Sequence, residues 1–140
     1  MQLQVQLLHP DATVPSFAHT HDAGMDLFGI EKVTIAPGER AQIQTGIALA
    51  IPEGYVGLVW DKSGVSHTRG LKVLGGVFDA GYRGDVTIGL FNTGDTDQTF
   101  AVGDKIAQIL IQKIIQPELV QVAQLPETVR GTDRFGSTGK

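Results

Sequence analysis

The sequence predicts an all-β domain, a sandwich or barrel, with at most one short helix. Three observations predict this class. Apolar and polar residues alternate in many short segments, Gly and Pro turns separate these segments, and only one short stretch suggests a helical turn. Glycine makes up 18 of 140 residues, close to twice the usual share of about 7%. The length suits a single domain with its own core.

The strand pattern is clear at the N-terminus, where Leu3, Val5 and Leu7 alternate with glutamines and mark one half-buried face. Farther along, Pro37-Gly38 predicts a turn, and Pro52-Glu53-Gly54 predicts a hairpin. The other predicted strands are Lys32–Ile35, Arg40–Thr45, Ile47–Ile51, Tyr55–Trp60, Leu71–Leu74, Val86–Asn92 and Gln98–Val102.

The segment Lys105–Ile115 is long enough to form a helix. Its five isoleucines, and the alternation of its apolar residues with Gln108 and Gln112, favour a long strand instead. The one predicted helical turn covers about Ser63–Arg69.

The alternation stops after Pro126, and the residues that follow are too polar to form a core segment. The sequence therefore predicts a β domain over residues 1–126 and a flexible C-terminal arm over residues 127–140.

Composition excludes several classes of function. The chain has no cysteine, which excludes disulfides and thiolate metal sites. Its net charge is −4, which argues against general binding to nucleic acid. No apolar run reaches the roughly 18 residues that span a bilayer, and the N-terminus does not resemble a signal peptide. We therefore expect a cytoplasmic protein that binds neither membrane nor nucleic acid.

Five polar, glycine-rich clusters interrupt the strand pattern. Taken singly, the first is consistent with a strand entry, the second with a helix N-cap and the fourth with a plain turn. The clusters are Ala23–Leu27, Asp61–Gly64, Gly75–Asp85, Gly103–Gln108 and Arg130–Lys140.

The third cluster has more polar residues than a hairpin turn needs. Asp79, Tyr82, Arg83 and Asp85 lie within seven residues, among several glycines. Glycines allow a ligand to contact backbone N–H and C=O groups, which can read the edge of a base. The ring of Tyr82 offers a stacking face, and Asp79 has the chemistry of a general base that orients water.

The fifth cluster combines groups that bind phosphates. Arg130 is able to stabilise charge on a phosphoryl group, and Phe135 is able to stack on a base. The hydroxyls of Ser137 and Thr138 and the glycine N–H groups suit phosphate oxygens. A disordered chain end is the alternative. The eleven residues of Arg130–Lys140 span at most about 36 Å, enough to reach a neighbouring subunit.

The order and spacing of all five clusters resemble the motifs of trimeric dUTP pyrophosphatases (dUTPases), from about Ala23 to Lys140. The resemblance implies a jelly-roll-like β fold and a homotrimer with sites shared between subunits. It also implies Mg²⁺-dependent hydrolysis of dUTP to dUMP and pyrophosphate. That reaction keeps uracil out of DNA and supplies dUMP for dTMP synthesis.

The resemblance also implies roles for individual residues. Asp79 would orient the attacking water, with Arg130 as a second catalytic residue. Asp26 would act on the metal indirectly, through water, because Mg²⁺ is held mainly by the substrate phosphates. Tyr82 would pack on the deoxyribose, and the segment Leu74–Asp79 would form a hairpin that reads uracil. The implied substrate contacts are Lys62, Ser63, Gly64, Val73, Gly76, Val77, Tyr82, Arg83, Gln108, Arg130, Phe135, Gly136, Ser137 and Thr138.

Three positions depart from the family pattern. Lys62 stands where arginine is usual, so the charge is kept and the bidentate fork is lost. Asp133-Arg134 replaces a flexible Gly-Gly pair in the arm. Val73 replaces an asparagine near the base, which predicts backbone contacts alone at that position.

Two other functions fit parts of the sequence. A dCTP deaminase would share the fold, but the position of its catalytic glutamate, ten residues after Asp79, is occupied by Gly89. A non-catalytic nucleotide-binding regulator would have no need for a carboxylate such as Asp79 beside a base pocket.

Overall fold

The computed structural model describes residues 1–132 of the chain. Within them the fold is almost entirely β, as predicted, and eleven strands are formed. In chain order these are β1 (Gln4–Leu7), β2 (Met25–Phe28), β3 (Val33–Ile35), β4 (Arg40–Ile43), β5 (Ile47–Ala50), β6 (Tyr55–Trp60), β7 (Leu71–Leu74), β8 (Val77–Phe78), β9 (Ile88–Asn92), β10 (Gln98–Phe100) and β11 (Lys105–Lys113).

The strands form four sheets within the described residues. A four-stranded sheet has the order β2-β11-β6-β8, and a three-stranded sheet has the order β4-β9-β7. Two smaller sheets pair β1 with β5 and β10 with β3. All of these pairings are antiparallel. Most strand neighbours are distant in sequence, the topology of a jelly-roll-like fold.

The long C-terminal strand and the helical turn are confirmed. The strand β11 runs over Lys105–Lys113, so the prediction of a strand in place of a helix is correct. The predicted turn is a five-residue π-helix at Gly64–Thr68. No helix among residues 1–132 is long and apolar enough to cross a membrane.

The predicted hairpin at Pro52-Glu53-Gly54 is wrong, although the chain does turn there. Strand β5 pairs with β1, and β6 pairs with β11 and β8. The connection therefore passes from one sheet to another. A local turn signal fixes a reversal of direction, whereas burial of the strand faces decides which strands pair.

The core lies between the sheets and consists of aliphatic side chains and one phenylalanine. Leu7 was expected to share in it, but it is 50% exposed at the end of the two-stranded sheet β1-β5. The guanidinium of Arg69 lies 4.0 Å from the ring centroid of Phe100 and covers it. The largest fully buried apolar side chains are Phe100, Leu27, Ile35, Ile43, Ile47, Leu71, Ile88, Leu90, Ile106 and Ile109.

Candidate active site

Three of the predicted clusters meet on one face of the four-stranded sheet. Gln108 of β11 lies opposite Asp26 of β2 and opposite Trp60 of β6. The chain that leaves β6 then places Asp61 and Lys62 beside them. Together they line a cleft of about 430 Å³, which we call the Asp26 cleft. Its other lining residues are Ala18, Asp22, Ala23, Gly24 and Leu110.

The carboxylate of Asp26 is the electrostatic centre of this cleft. It is only 3% exposed. Lys62 pairs with its Oδ1, and the Nζ of Lys105 lies 2.7 Å from its Oδ2. Burial alone raises the pKa of Asp26, but hydrogen bonds and charge from Lys105 and Lys62 outweigh it and lower the pKa below 3.8. Two ammonium groups around one carboxylate leave a positive field, which suits an anionic ligand.

The role of Lys105 was missed by the sequence analysis. Strict alternation along β11 places Lys105 and Gln108 on opposite faces. The register of β11 against β2 shifts between Lys105 and Ala107. Because one extra residue in a bulge changes the face of every residue beyond it, Lys105 reaches the same carboxylate that Gln108 lies beside. A bulge of this kind leaves no signal in the polar and apolar pattern.

We predict that the stability contributed by Asp26 is lost in acid. Its folded-state pKa is lowered, so its contribution is present above the unfolded pKa of about 3.9 and disappears as pH falls through the lower folded value. At pH 7 the variant Asp26→Asn should be less stable by roughly 3 kcal/mol. Urea unfolding from pH 7 down to pH 2 should show this difference shrinking below about pH 4.

The control for this measurement is Asp95→Asn, which makes the same change at an exposed turn. Its stability should follow that of the wild type at every pH. A difference for Asp26→Asn that is equally large at pH 7 and pH 2 would contradict the assignment.

Gln108 and Gly24 fit against each other in the cleft. The Nε2 of Gln108 donates a hydrogen bond to the backbone oxygen of Asp61, at 2.8 Å. A Cβ at Gly24 would lie 2.3 Å from Oε1 of Gln108. A side chain at position 24 would therefore displace the amide group of Gln108 from this place.

Ser63 and Gly64 lie at the exposed start of the π-helix. The side chain of Ser63 makes no capping hydrogen bond, and its backbone is helical. The N-cap interpretation of Asp61–Gly64 is therefore wrong, since a cap residue is non-helical and binds the first turn with its side chain. The Ser63 hydroxyl thus has no capping role.

A second, smaller cleft lies next to the first. It measures about 160 Å³, and we call it the Val73 cleft. Its lining residues are Leu58, Val59, Trp60, Lys72, Val73, Gly75, Gly76 and Val77. Trp60, which is 53% exposed, lines both clefts. The structure thus brings Val73, Gly76 and Val77 together, as the sequence analysis expected.

One detail of this cleft differs from expectation. The segment Leu74–Asp79 is not a paired hairpin, because β7 pairs with β9 whereas β8 pairs with β6. The two strands separate into different sheets, and the Val73 cleft opens beside them. In addition, the backbone N–H of Val73 donates to Oδ1 of Asp61 at 2.7 Å. The predicted backbone contact between Val73 and the base stays a prediction.

We predict that Gly76→Ala damages the Val73 cleft. Gly76 has φ of 102°, and a Cβ there would lie 2.7 Å from the backbone oxygen of Val59. Strain of this kind costs about 1–3 kcal/mol. Thermal unfolding should show the loss of stability, and calorimetric titration should show weaker binding of deoxyuridine nucleotides. Gly75→Ala is a matched control, because φ is also positive but nothing lies within 4 Å of its Cβ. Equal effects of the two variants would contradict a steric cause.

The loop that carries Asp79 is braced by contacts of its own. The N–H of Tyr82 donates to the backbone oxygen of Asp79 at 3.1 Å, and its hydroxyl donates to the backbone oxygen of Asp85 at 3.1 Å. The Tyr82 ring lies 6.0 Å from that of Phe78. A side chain at Gly84 would collide with the Tyr82 hydroxyl. Asp79 itself is exposed at the end of β8.

Arg83 serves this loop as a brace. Its Nη1 donates to the backbone oxygens of Ala80 and Tyr82, at 2.6 and 2.8 Å. Its predicted contact with substrate stays a prediction. Farther along, Arg130 is exposed, and the N–H of Gly131 donates to Thr128. The predicted ligands Phe135, Gly136, Ser137 and Thr138 lie outside the described residues.

A divalent ion fits this site only if the ligand brings most of its coordination. Among residues 1–132 there is no group of three or more His, Cys, Asp or Glu side chains placed to hold a metal. Both oxygens of Asp26 already face lysines. The indirect role of Asp26 at a metal, through water, stays a prediction.

Comparison with known proteins identifies relatives over nearly the whole length. The sequence pattern of the dUTPase family matches residues 10–139. The deoxyuridine 5'-triphosphate nucleotidohydrolase of Mycolicibacterium gilvum is 45% identical and covers 98% of this chain and 94% of its own. That of Clostridium tetani is 43% identical and covers 99% and 97%.

Solved structures agree with the sequence comparison. The Staphylococcus bacteriophage 80alpha dUTPase with bound dUpNHpp superposes with a TM-score of 0.94, at 35% identity over 99% of both chains. A mutant dUTPase from phage phi11 of S. aureus, solved to reveal the coordination of a structural Mg(II) ion, has a TM-score of 0.85 at 35% identity. It covers 91% of this chain and 100% of its own.

Proposed function

This chain belongs to the dUTPase family, and we propose that it hydrolyses dUTP to dUMP and pyrophosphate with Asp79 orienting the attacking water. The water oxygen bonds to the α-phosphorus, and the bond from that phosphorus to the α–β bridging oxygen breaks. Pyrophosphate leaves with the electron pair, and the water gives up a proton to the carboxylate of Asp79. The observation that carries the assignment of Asp79 is its exposed carboxylate at the end of β8, two residues beyond Val77 of the Val73 cleft.

The Asp26 cleft binds the triphosphate in this proposal. Lys62 and Lys105 supply positive charge, and Asp26 holds both ammonium groups in place until the ligand arrives. The Ser63 hydroxyl and the Gly64 N–H contact the phosphates from the exposed start of the π-helix. Gln108, anchored on Asp61, lies at the floor of the cleft. A triphosphate gains more from these groups than a monophosphate does, which favours release of dUMP.

The Val73 cleft and the Asp79 loop bind the nucleoside. A volume of about 160 Å³ suits one planar base. Gly76 and Val77 present backbone groups that read uracil, and a close backbone leaves no room for the 5-methyl of thymine. The ring of Tyr82, 48% exposed, packs on the deoxyribose and disfavours a ribose 2′-hydroxyl.

We assign Mg²⁺ as the cofactor, with support from the structural Mg(II) ion of the phage phi11 relative. When bound together with the substrate, the ion would supply positive charge for the leaving pyrophosphate, and Asp26 would act on it only through water. The residues of this chain position the substrate. Asp26 holds the two lysines in place, and the lysines orient the phosphates.

The assembly in this proposal is a homotrimer with shared sites. The segment beyond β11 exposes apolar side chains that a further copy of the chain would cover. These are Ile115, Leu119, Val120, Val122, Leu125 and Val129. Residues 1–126 then form the domain, and residues 127–140 form an arm that reaches the site of a neighbouring copy. There Arg130 contacts the phosphates. Size-exclusion chromatography with light scattering tests the trimer.

The two alternatives receive less support. Position 89 is a glycine on β9 opposite Leu74, so the glutamate of a dCTP deaminase is absent there. A non-catalytic regulator leaves the exposed Asp79 without a role. The cytoplasmic location expected from the sequence stays a prediction.

The function is tested by the release of pyrophosphate from dUTP, dCTP and dTTP, with and without Mg²⁺. We expect turnover of dUTP that depends on Mg²⁺ and exceeds turnover of the other two substrates. Release of ammonia from dCTP, or binding of dUTP without pyrophosphate release, would reject the assignment.

A further inference from the structure

Asp61 contacts groups on both sides of the site through three separate atoms. Its Oδ1 accepts the backbone N–H of Val73 at 2.7 Å, and its Oδ2 lies 2.5 Å from the Nζ of Lys72. Its backbone oxygen accepts Nε2 of Gln108 at 2.8 Å. It directly precedes Lys62 in the chain. One residue therefore links the strand that lines the Val73 cleft to the residues that line the Asp26 cleft.

The bond between Asp61 and Val73 takes the place of a hydrogen bond to a neighbouring strand. Among residues 1–132, strand β7 lies at the edge of its sheet and pairs only with β9. An edge strand leaves alternate N–H groups without a sheet partner, and a partly buried N–H without a partner is unfavourable. Val73 is half-buried, and the Asp61 carboxylate satisfies its N–H from the end of β6. The contact thus ties the three-stranded sheet to the four-stranded sheet.

Two contacts tie the turn beside the Val73 cleft to β6 and the residue that follows it, in addition to the pairing of β7 with β9 and of β8 with β6. One is the Asp61–Val73 bond, and the other is the bond from the N–H of Val59 to the backbone oxygen of Gly76, at 2.7 Å. They stand on either side of Leu74-Gly75. Because Gly75 and Gly76 both have positive φ and glycine is permissive in backbone conformation, the turn itself does little to fix its own shape.

We propose that Asp61 is a positioning residue that holds strand β7, through the N–H of Val73, at a fixed place relative to the phosphate-binding residues. The inference rests on the proposed function, which makes the two clefts the base and phosphate regions. Asp61 itself does not touch the reacting atoms. The ion pair with Lys72 is secondary, because that lysine is largely exposed and exposed pairs contribute little.

The test measures calorimetric binding of dUpNHpp together with steady-state kinetics on dUTP and dCTP. Asp61→Ala should weaken binding of dUpNHpp about tenfold, the size expected for loss of a hydrogen bond to a charged group. KM for dUTP should rise by a similar factor, with kcat within about threefold of the wild type. The preference for dUTP over dCTP in kcat/KM should fall, since the base cleft has moved.

Three further variants separate this role from general destabilisation. Asp61→Asn retains an oxygen for the Val73 N–H and should restore affinity to within about threefold, because the exposed ion pair with Lys72 contributes little. Asp61→Glu keeps the charge but lengthens the side chain by one methylene. Its binding of dUpNHpp should therefore be weakened as much as that of Asp61→Ala. Glu31→Ala removes a carboxylate that accepts the N–H of Gln44, at 3.2 Å, away from both clefts, and should change stability without changing base preference.

The inference is overturned if folded Asp61→Ala or Asp61→Glu binds dUpNHpp as the wild type does. It is also overturned if Asp61→Asn is as impaired as Asp61→Ala, because the ion pair would then be the important contact. If Asp61→Ala does not fold, the comparison of dUpNHpp binding between Asp61→Glu and Asp61→Asn tests the inference. Wild type that binds dUpNHpp but does not hydrolyse dUTP would reject the proposed reaction, and the binding series would still decide the role of Asp61.

Discussion

Asp79→Asn should lower kcat for dUTP by about 10²- to 10⁴-fold, the usual contribution of a positioned general base. Asparagine has nearly the same shape as aspartate but cannot accept the proton of the attacking water. The loop should keep its conformation, because its bracing contacts use the backbone of Asp79 and the side chains of Tyr82 and Arg83. Binding of dUpNHpp should therefore stay within about threefold of the wild type.

Pyrophosphate release and calorimetric titration measure these two quantities on the same preparation. Asp97→Asn makes the same chemical change at an exposed position beside β10 and should leave both unchanged. A kcat for Asp79→Asn close to the wild-type value would remove Asp79 from the mechanism. Equal losses in kcat and in affinity would indicate instead that the substitution disrupts the base cleft.

Deletion of residues 130–140 should lower kcat/KM for dUTP by about 10³-fold or more, because it removes an arginine proposed to stabilise charge in the transition state. The oligomeric state should not change, since the sheets and core described among residues 1–132 lie before the deleted segment. Kinetic assays and light scattering on the truncated protein measure the two properties.

Two point variants refine the truncation. Arg130→Gln removes only the charge of the proposed finger and should reproduce a large part of the kinetic loss. Lys113→Gln makes the matching change at an exposed position at the end of β11 and should have no effect. Full activity of the truncated protein would show that hydrolysis proceeds without the arm.

The sequence predicted the strands better than the way in which they pair. Alternation identified β6 and β7 at their observed limits and distinguished β11 from a helix. Short strands such as β2 and β8 were not predicted. They lie in glycine-rich clusters, and so few residues do not show a clear alternation of apolar and polar side chains. The mistaken hairpin at residues 52–54 has the same origin as any pairing error: a turn is local, whereas a partner strand is chosen by burial far along the chain.

Four of the five predicted clusters contribute residues to the two clefts, but the side-chain contacts within the clefts were not predicted. Lys105 escaped because a bulge changes the face of the strand, and Asp61 escaped because its role is to accept the N–H of an edge strand. Neither property is visible in residue types. The bond between Asp61 and Val73 holds the backbone where the family pattern has an asparagine, so the place of this backbone does not depend on the valine side chain.

The position of Trp60 between the two clefts has a practical consequence. It is the chain's single tryptophan, its indole is about half exposed, and it borders the space beside Asp26 as well as the space beside Val73. The fluorescence emission of Trp60 therefore responds, without any added label, to the polarity of both clefts. Ligand fragments that fill only one cleft should change the emission differently from fragments that fill the other. Time-resolved emission of Trp60 should therefore show the order in which the two ends of a ligand bind.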